Sequence, residues 1–484
     1  MINKNTFKQN VVSSFLWSFL GQSGYLVIGL VANIILARLL SPYEFGQVGI
    51  IMFFIAIARV LTESGLSGAL IRKSDATEED FSTVFLFNLG VSVTLMLLLI
   101  LFSEKIANFY NDLELKNILI ATSSILLINA FQITQNAKLV KDLKFKEKAT
   151  YEFVAIFFAS LLGVVLAIQN AGVWALVIMQ IATALFLTIL LWLFEGPLKK
   201  LVFSRISFKG LYKFGVNTTL ASLLNTAFDN VYQLILGKYF SINQTGFYFQ
   251  GKKLQDVPVK IIRSTTSGVI YSSLAKLQNE HSLFNKFYRK ILTVFTVVVG
   301  LICLMVFFYA ENVILLLYGE QWLGAVFYIQ ILIVASYFYM QESLNRIIFK
   351  VFDKTEKILY LEIIKKSIQA ITVAIGVLSE SIEILLYGFL FTSILSFFLN
   401  YYQSRKVQNN FSWQELYIIL KVGVISIFTV STGLTLKEYF ELQLYYSFLL
   451  IPILLIIFIS AVKLFNVSDI LRDSRAILNV IRKK

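Results

Sequence analysis

Long apolar runs broken by short polar stretches fill the chain from residue 11 to residue 465. Runs of about 20 residues cross a bilayer core at roughly 1.5 Å per helical residue. Fourteen such segments are expected, at 11–37, 45–70, 81–103, 115–138, 149–169, 171–194, 209–237, 244–275, 285–310, 321–346, 357–378, 381–403, 412–436 and 443–465. The runs lack the in/out alternation of an outer-membrane barrel, so the expected fold class is an all-α membrane protein. Segment 244–275 is the least apolar, with four basic residues and Pro258, yet it keeps the loops in register. The run to Leu36 is too long for a signal-peptide core and is expected to stay as the first crossing.

Composition agrees with this pattern. Of the 484 residues, 57% are hydrophobic and 15% charged, more apolar surface than a soluble interior can hide. The formal charge of +14 is spread over alternate loops rather than gathered in one patch, so it speaks for topology and against a nucleic-acid partner. One side holds Lys138, Lys141, Lys144, Lys146, Lys148, Lys199, Lys200, Lys350, Lys354 and Lys357, whereas the opposite loops carry Arg38, Lys105, Lys116, Lys238 and Lys437. The positive-inside rule then places both termini in the cytoplasm of a multi-pass inner-membrane protein.

A single cysteine, Cys303, and a single histidine, His281, argue against an internal disulfide, a Cys/His metal site or a histidine-based catalytic centre. No cofactor, metal or catalytic residue is expected. Loops are short on both sides, which leaves function to the helices.

The chain also echoes itself. Ala37-Arg38-Leu39-Leu40-Ser41 with Gly46 returns 200 residues later as Gly237-Lys238-Tyr239-Phe240-Ser241 with Gly246. Glu147-Lys148 with Tyr151 likewise matches Glu356-Lys357 with Tyr360. Two pseudo-symmetric six-helix lobes follow, 1–200 and 201–404, with an appended helix pair at 405–467 and a basic cytoplasmic tail at 468–484.

Ionisable residues at the centre of a membrane helix cost about 2.5–3.5 kcal/mol each, so a group of them needs a shared reason. Lys252, Asp256, Lys260 and Arg263 are spaced by four, four and three, which puts them on one helix face with Ser267 continuing it. Arg59 with Glu63, Glu342 with Arg346, and Glu362 with Lys365 show the same one-sided spacing. Uncharged or mixed stripes comprise Gln22 and Asn33; Asn129, Gln132 and Asn136; and Asn225, Asp229 and Tyr232. The simplest arrangement is a shared, hydrated, net basic cavity between two lobes. The competing reading has the i,i+4 pairs neutralise themselves and the uncharged stripes bond between helices. A basic cavity suits an anionic cargo, because Arg and Lys replace lost hydration with charge-assisted hydrogen bonds.

Several stretches carry a resemblance. They are Ala37-Arg38-Leu39-Leu40-Ser41-Pro42 with Phe45-Gly46, Ala69-Leu70-Ile71 leading to Thr77-Glu78-Glu79-Asp80, and Gly172-Val173-Trp174-Ala175-Leu176-Val177. Gly246-Phe247-Tyr248 running to Pro258, and Tyr318-Gly319-Glu320-Gln321-Trp322, extend it. In order and spacing they resemble the Wzx-type polysaccharide flippases, the polysaccharide-transporter branch of the multidrug/oligosaccharidyl-lipid/polysaccharide exporter superfamily. The resemblance implies a V of two six-helix lobes plus two helices that translocates undecaprenyl-pyrophosphate oligosaccharide by alternating access. It further implies a lipid bilayer setting, with a polysaccharide polymerase and chain-length proteins as partners. Such proteins often carry an arginine early in the eighth segment; here Gln250 stands there, with Lys252 and Lys253 just after it.

Together these readings nominate Arg59, Lys252, Lys253, Lys260, Arg263 and Arg346 as pyrophosphate contacts. Gln22, Asn33, Asn129, Gln132, Asn225 and Tyr232 are nominated for glycan or cavity polar contacts, and Glu63, Asp229 and Asp256 for coupling to Na⁺ or H⁺. The alternatives are a cation-coupled multidrug exporter on the same scaffold and a membrane glycan polymerase or transferase.

Overall fold

The computed structural model describes residues 4–467 apart from 64, 410, 411, 442, 444 and 445. The expected basic tail at 468–484 and the side chains of Gln22 and Ser267 lie outside the described residues. The chain opens with α1 (Lys4–Leu39), α2 (Pro42–Glu63), α3 (Leu66–Arg72), α4 (Glu78–Tyr110), α5 (Glu114–Lys141) and α6 (Phe145–Ile168). It continues through α7 (Val173–Glu195), α8 (Arg205–Tyr239), α9 (Ile242–Thr265), α10 (Tyr271–Ala275), α11 (His281–Phe308) and α12 (Ala310–Leu317). It closes with α13 (Ala325–Val351), α14 (Thr355–Leu378), α15 (Ile382–Gln408), α16 (Trp413–Tyr439) and α17 (Leu450–Leu464).

Among the described residues, ten helical stretches are long and apolar enough to cross a membrane: α2, α4, α5, α6, α7, α11, α13, α15, α16 and Tyr446–Leu464. Four further long helices, α1, α8, α9 and α14, fall on the remaining predicted segments. Two segments are less regular than expected. Segment 45–70 breaks where Gly65 turns to φ 60°, a left-handed conformation that glycine adopts without a Cβ clash and that ends the helical ladder. Segment 244–275 passes through a π-helical stretch at Thr266–Ile270 between α9 and α10.

Contacts divide the chain into two compact units, Met1–Phe249 and Gln250–Lys484. In the first, α4 starts at a capping box in which Thr77 and Asp80 satisfy each other's backbone N–H. Lys73 lies 2.7 Å from Asp80 and ties the end of α3 to that cap. Leu66, Leu70, Phe81, Val84 and Phe85 form the core beneath, flanked by Phe131, Trp192 and Phe208. The Trp192 indole donates to the Phe131 carbonyl at 2.9 Å.

The same unit contains the crossing of α2 and α9, which turns on two glycines. A Cβ on Gly46 would overlap the Ile242 carbonyl oxygen, and a Cβ on Gly246 would overlap that of Pro42. Membrane helices gain little from hydrophobic burial against one another and rely on close packing, which small residues permit.

The second unit packs Phe284, Tyr288, Leu344, Ile348, Phe397 and Tyr401 into its core. The helix pair α16–α17 seats Val422, Ile425, Phe458 and Val462 against Val297 and Leu304 of α11. The start of α16 is fixed by a buried cation. Arg405, 1% exposed, lies 3.0 Å from Glu415 and donates to Asn345 Oδ1 at 3.2 Å. Its guanidinium sits over the rings of Tyr288 and Tyr401, at 4.7 and 5.0 Å from their centroids.

Candidate functional site

Within the first unit a cavity of about 280 Å³ is walled by α2, α3, α5, α6 and α7. Arg59, Thr62 and Glu63 reach it from α2, Ser67 and Ile71 from α3, and Leu187 from α7. From α5 come Leu126, Asn129, Gln132, Ile133, Asn136, Ala137 and Val140, whose spacing of three and four keeps them on one face. Lys148 and Glu152, one turn apart on α6, close the wall.

The cavity's charges come in pairs. Arg59 Nε donates to Glu63 Oε1 at 3.0 Å, and Lys148 is hydrogen-bonded to Glu152. Both pairs are i,i+4 neighbours on a single helix turn. Two cations and two carboxylates leave this wall formally neutral. Between them stand the carboxamides. Gln132 donates to the Ala184 carbonyl at 2.7 Å and to Thr188 Oγ1 at 2.9 Å, which fixes it to α7. Asn136 Oδ1 is buried and accepts no hydrogen bond among the described residues.

Of the residues nominated from sequence, the structure therefore brings Arg59, Glu63, Asn129 and Gln132 together around one cavity. Other nominees of the first unit lie elsewhere. Asn33 is buried, Tyr232 is buried and stacked on Tyr248 with centroids 6.0 Å apart, and Asn225 and Asp229 are exposed on α8. Lys148 and Glu152 were missed because Lys148 reads first as one of the loop charges that set orientation; their i,i+4 spacing was the available signal.

In the second unit, α9 buries part of its surface and exposes the rest, Val257 and Ile261 included. Val259 and Ile262 are buried, and Gln255 donates to Ser336 Oγ of α13 at 2.5 Å. Lys253, Lys260 and Arg263 are exposed, Lys252 and Asp256 half-buried. Lys260 lies 3.6 Å from Asp256.

Arg346 has a different setting. It pairs with Glu342 of its own helix and with Glu362 of α14, while Lys365 lies 3.1 Å from Glu342. Ser396 of α15 donates to Glu342 at 2.9 Å. Glu342 is fully buried, and this quartet of two acids and two bases joins α13 to α14, with Ser396 adding α15. Among the described residues, no group of three or more His, Cys, Asp or Glu could hold a metal ion.

A family model described as "Polysaccharide biosynthesis protein" matches residues 35–327. The chain belongs to this family. The stretch takes in the quoted motifs from Ala37 to Trp322 and all the walls of the cavity. Among curated polysaccharide biosynthesis proteins, the chain is similar to the succinoglycan biosynthesis transport protein ExoT of Rhizobium meliloti (strain 1021). That match is 23% identical and covers 66% of this chain and 64% of ExoT. It is also similar to the lipopolysaccharide biosynthesis protein WzxC of Escherichia coli (strain K12), at 22% identity over 68% of each chain. The match thus spans about two thirds of the length of these relatives. The resemblance to the Wzx-type polysaccharide flippases holds.

Solved structures share the fold. The inward closed conformation of the lipid II flippase MurJ matches with a TM-score of 0.73 at 14% identity, covering 93% of this chain and 98% of that one. An inward-facing multidrug-resistance MATE family transporter matches with a TM-score of 0.57 at 17% identity, covering 80% and 96%. ExoT is named as a transport protein, and the MurJ and MATE structures bear on the fold alone.

Proposed function

We propose that the chain is a flippase for undecaprenyl-pyrophosphate-linked oligosaccharide, carrying it from the cytoplasmic to the outer leaflet of a bacterial inner membrane by alternating access. The observation that carries this reading is the family match over residues 35–327, which joins the chain to relatives named for polysaccharide transport and lipopolysaccharide biosynthesis. In this reading all fourteen long helical segments cross the bilayer, with lobes 1–200 and 201–404, the pair 405–467 and both termini in the cytoplasm.

The exposed cations of α9, Lys253, Lys260 and Arg263, together with Lys252, are the proposed pyrophosphate contacts. A helix that buries one face and offers several cations on the other needs a polar occupant or water beside it. Arg346, whose charge is shared between Glu342 and Glu362, is better suited to holding α13 and α14 together. Asp229 and Asp256 remain the proposed ion-coupling carboxylates; collapsing the Na⁺ and H⁺ gradients separately during flipping tests them.

The decisive experiment reconstitutes the purified chain in vesicles with labelled lipid-linked oligosaccharide and measures its exposure to an impermeant reagent. Exposure faster than in protein-free vesicles is expected, with Arg263→Ala slower than wild type. No gain over empty vesicles refutes the flippase. The MATE-like fold keeps a multidrug exporter as the second reading, and dye sensitivity of a deletion strain favours it if flipping fails.

A further inference from the structure

We infer that the cavity in the first unit is a glycan subsite, selective for an uncharged hexopyranose of the cargo and not for its pyrophosphate. This deepens the flippase reading and rests on it.

Charge comes first. Arg59 with Glu63 and Lys148 with Glu152 cancel, so a pyrophosphate approaching either cation also approaches that cation's carboxylate. Sugar hydroxyls meet no such conflict, because each donates and accepts. Ionised carboxylates accept hydrogen bonds from hydroxyls, while guanidinium, ammonium and carboxamide N–H groups donate to the sugar's oxygens.

Asn136 adds a second, independent observation. Its Oδ1 is buried without a donor among the described residues, and leaving such an acceptor unpaired is unfavourable. Asn136 is one of the residues that line the cavity. A pyrophosphate diester brings only acceptors there; a hydroxyl brings the missing donor.

Size agrees. Pockets for drug-sized ligands run from roughly 300 to 1,000 Å³. At about 280 Å³ this cavity takes one small ring rather than a repeat unit with its lipid. Leu126, Ile133 and Leu187 give that ring an apolar surface for its C–H face.

The test uses the full-length chain in nanodiscs. Methyl glycosides of glucose, galactose, mannose and N-acetylglucosamine are examined by saturation-transfer NMR, and inorganic pyrophosphate by phosphorus line width. At least one glycoside is expected to receive saturation, with the signal falling fivefold or more in Asn129→Ala, Asn136→Ala and Glu152→Gln. Each variant is first checked for an unchanged elution volume, and the pyrophosphate line width should not follow these substitutions. Silence from all four glycosides, equal signals in the variants, or pyrophosphate broadening that disappears with Asn136→Ala overturns the subsite. A chain that binds glycosides but flips no lipid refutes the transport reading and supports the subsite; one that flips lipid but ignores all four glycosides does the reverse.

Discussion

Gly46 and Gly246, 200 residues apart in sequence, each lie against the opening residue of the other's helix: Gly46 on the Ile242 carbonyl and Gly246 on the Pro42 carbonyl. The sequence echo thus becomes a reciprocal contact, in which equivalent positions of α2 and α9 exchange equivalent neighbours. A side chain on either glycine must move backbone, which neither helix can do without loosening the crossing.

Gly46→Ala and Gly246→Ala should therefore each destabilise the protein by about 1–3 kcal/mol, the usual cost of overpacking. Gly90→Ala on α4, where a Cβ meets nothing within 4 Å, should be neutral or slightly stabilising because alanine is the better helix former. Apparent melting temperature in detergent is the measurement. Equal behaviour of all three variants would show that the crossing is loose.

Glu342 compensates two cations at once, Arg346 and Lys365. Glu342→Gln should cost about 3–5 kcal/mol, since it leaves buried positive charge against Glu362 alone. Adding Lys365→Met should recover part of that loss, whereas two unrelated effects would add. Thermal unfolding of the double-mutant cycle reads the coupling.

Arg405→Lys should behave as a disruptive change despite keeping the charge. A lysine cannot stack on Tyr288 and Tyr401 while reaching Glu415 and Asn345. Faster hydrogen exchange at the start of α16 is the expected outcome, and unchanged protection would mean that apolar packing alone holds that helix.

Orientation can be read by cysteine labelling, because the native Cys303 is buried. In a Cys303→Ala background, Lys105→Cys and Lys437→Cys should react with an impermeant reagent on intact cells. Lys144→Cys and Lys354→Cys should react only after permeabilisation. The opposite pattern would invert the topology expected from the loop charges.

Hydropathy periodicity located the helices well, because a segment that must satisfy its own backbone in lipid has few other options. It missed the break at Gly65 and the π-helical stretch at Thr266–Ile270, although Thr62-Glu63-Ser64-Gly65 and Ser264-Thr265-Thr266-Ser267-Gly268 both interrupt the apolar runs. The grouping of some side chains was legible. Arg59, Glu63, Asn129 and Gln132 do meet around one cavity, because helical spacing fixes which residues share a face. Spacing says nothing about partners on other helices, so Glu362 beside Arg346 was invisible until the helices were placed. Arg405 hid for another reason: near a helix end it looks like one more orienting charge, although it is buried and held by aromatic rings and a carboxylate.

That buried arginine also constrains how far the protein can be shortened. A version ending before Glu415 would strand a guanidinium in the interior with its carboxylate gone, so removing the final two helices requires an apolar or uncharged replacement at Arg405 as well. The preceding helix α15 thus depends electrostatically on the last pair, and a derivative without α16 and α17 has to be engineered at residue 405 rather than merely truncated.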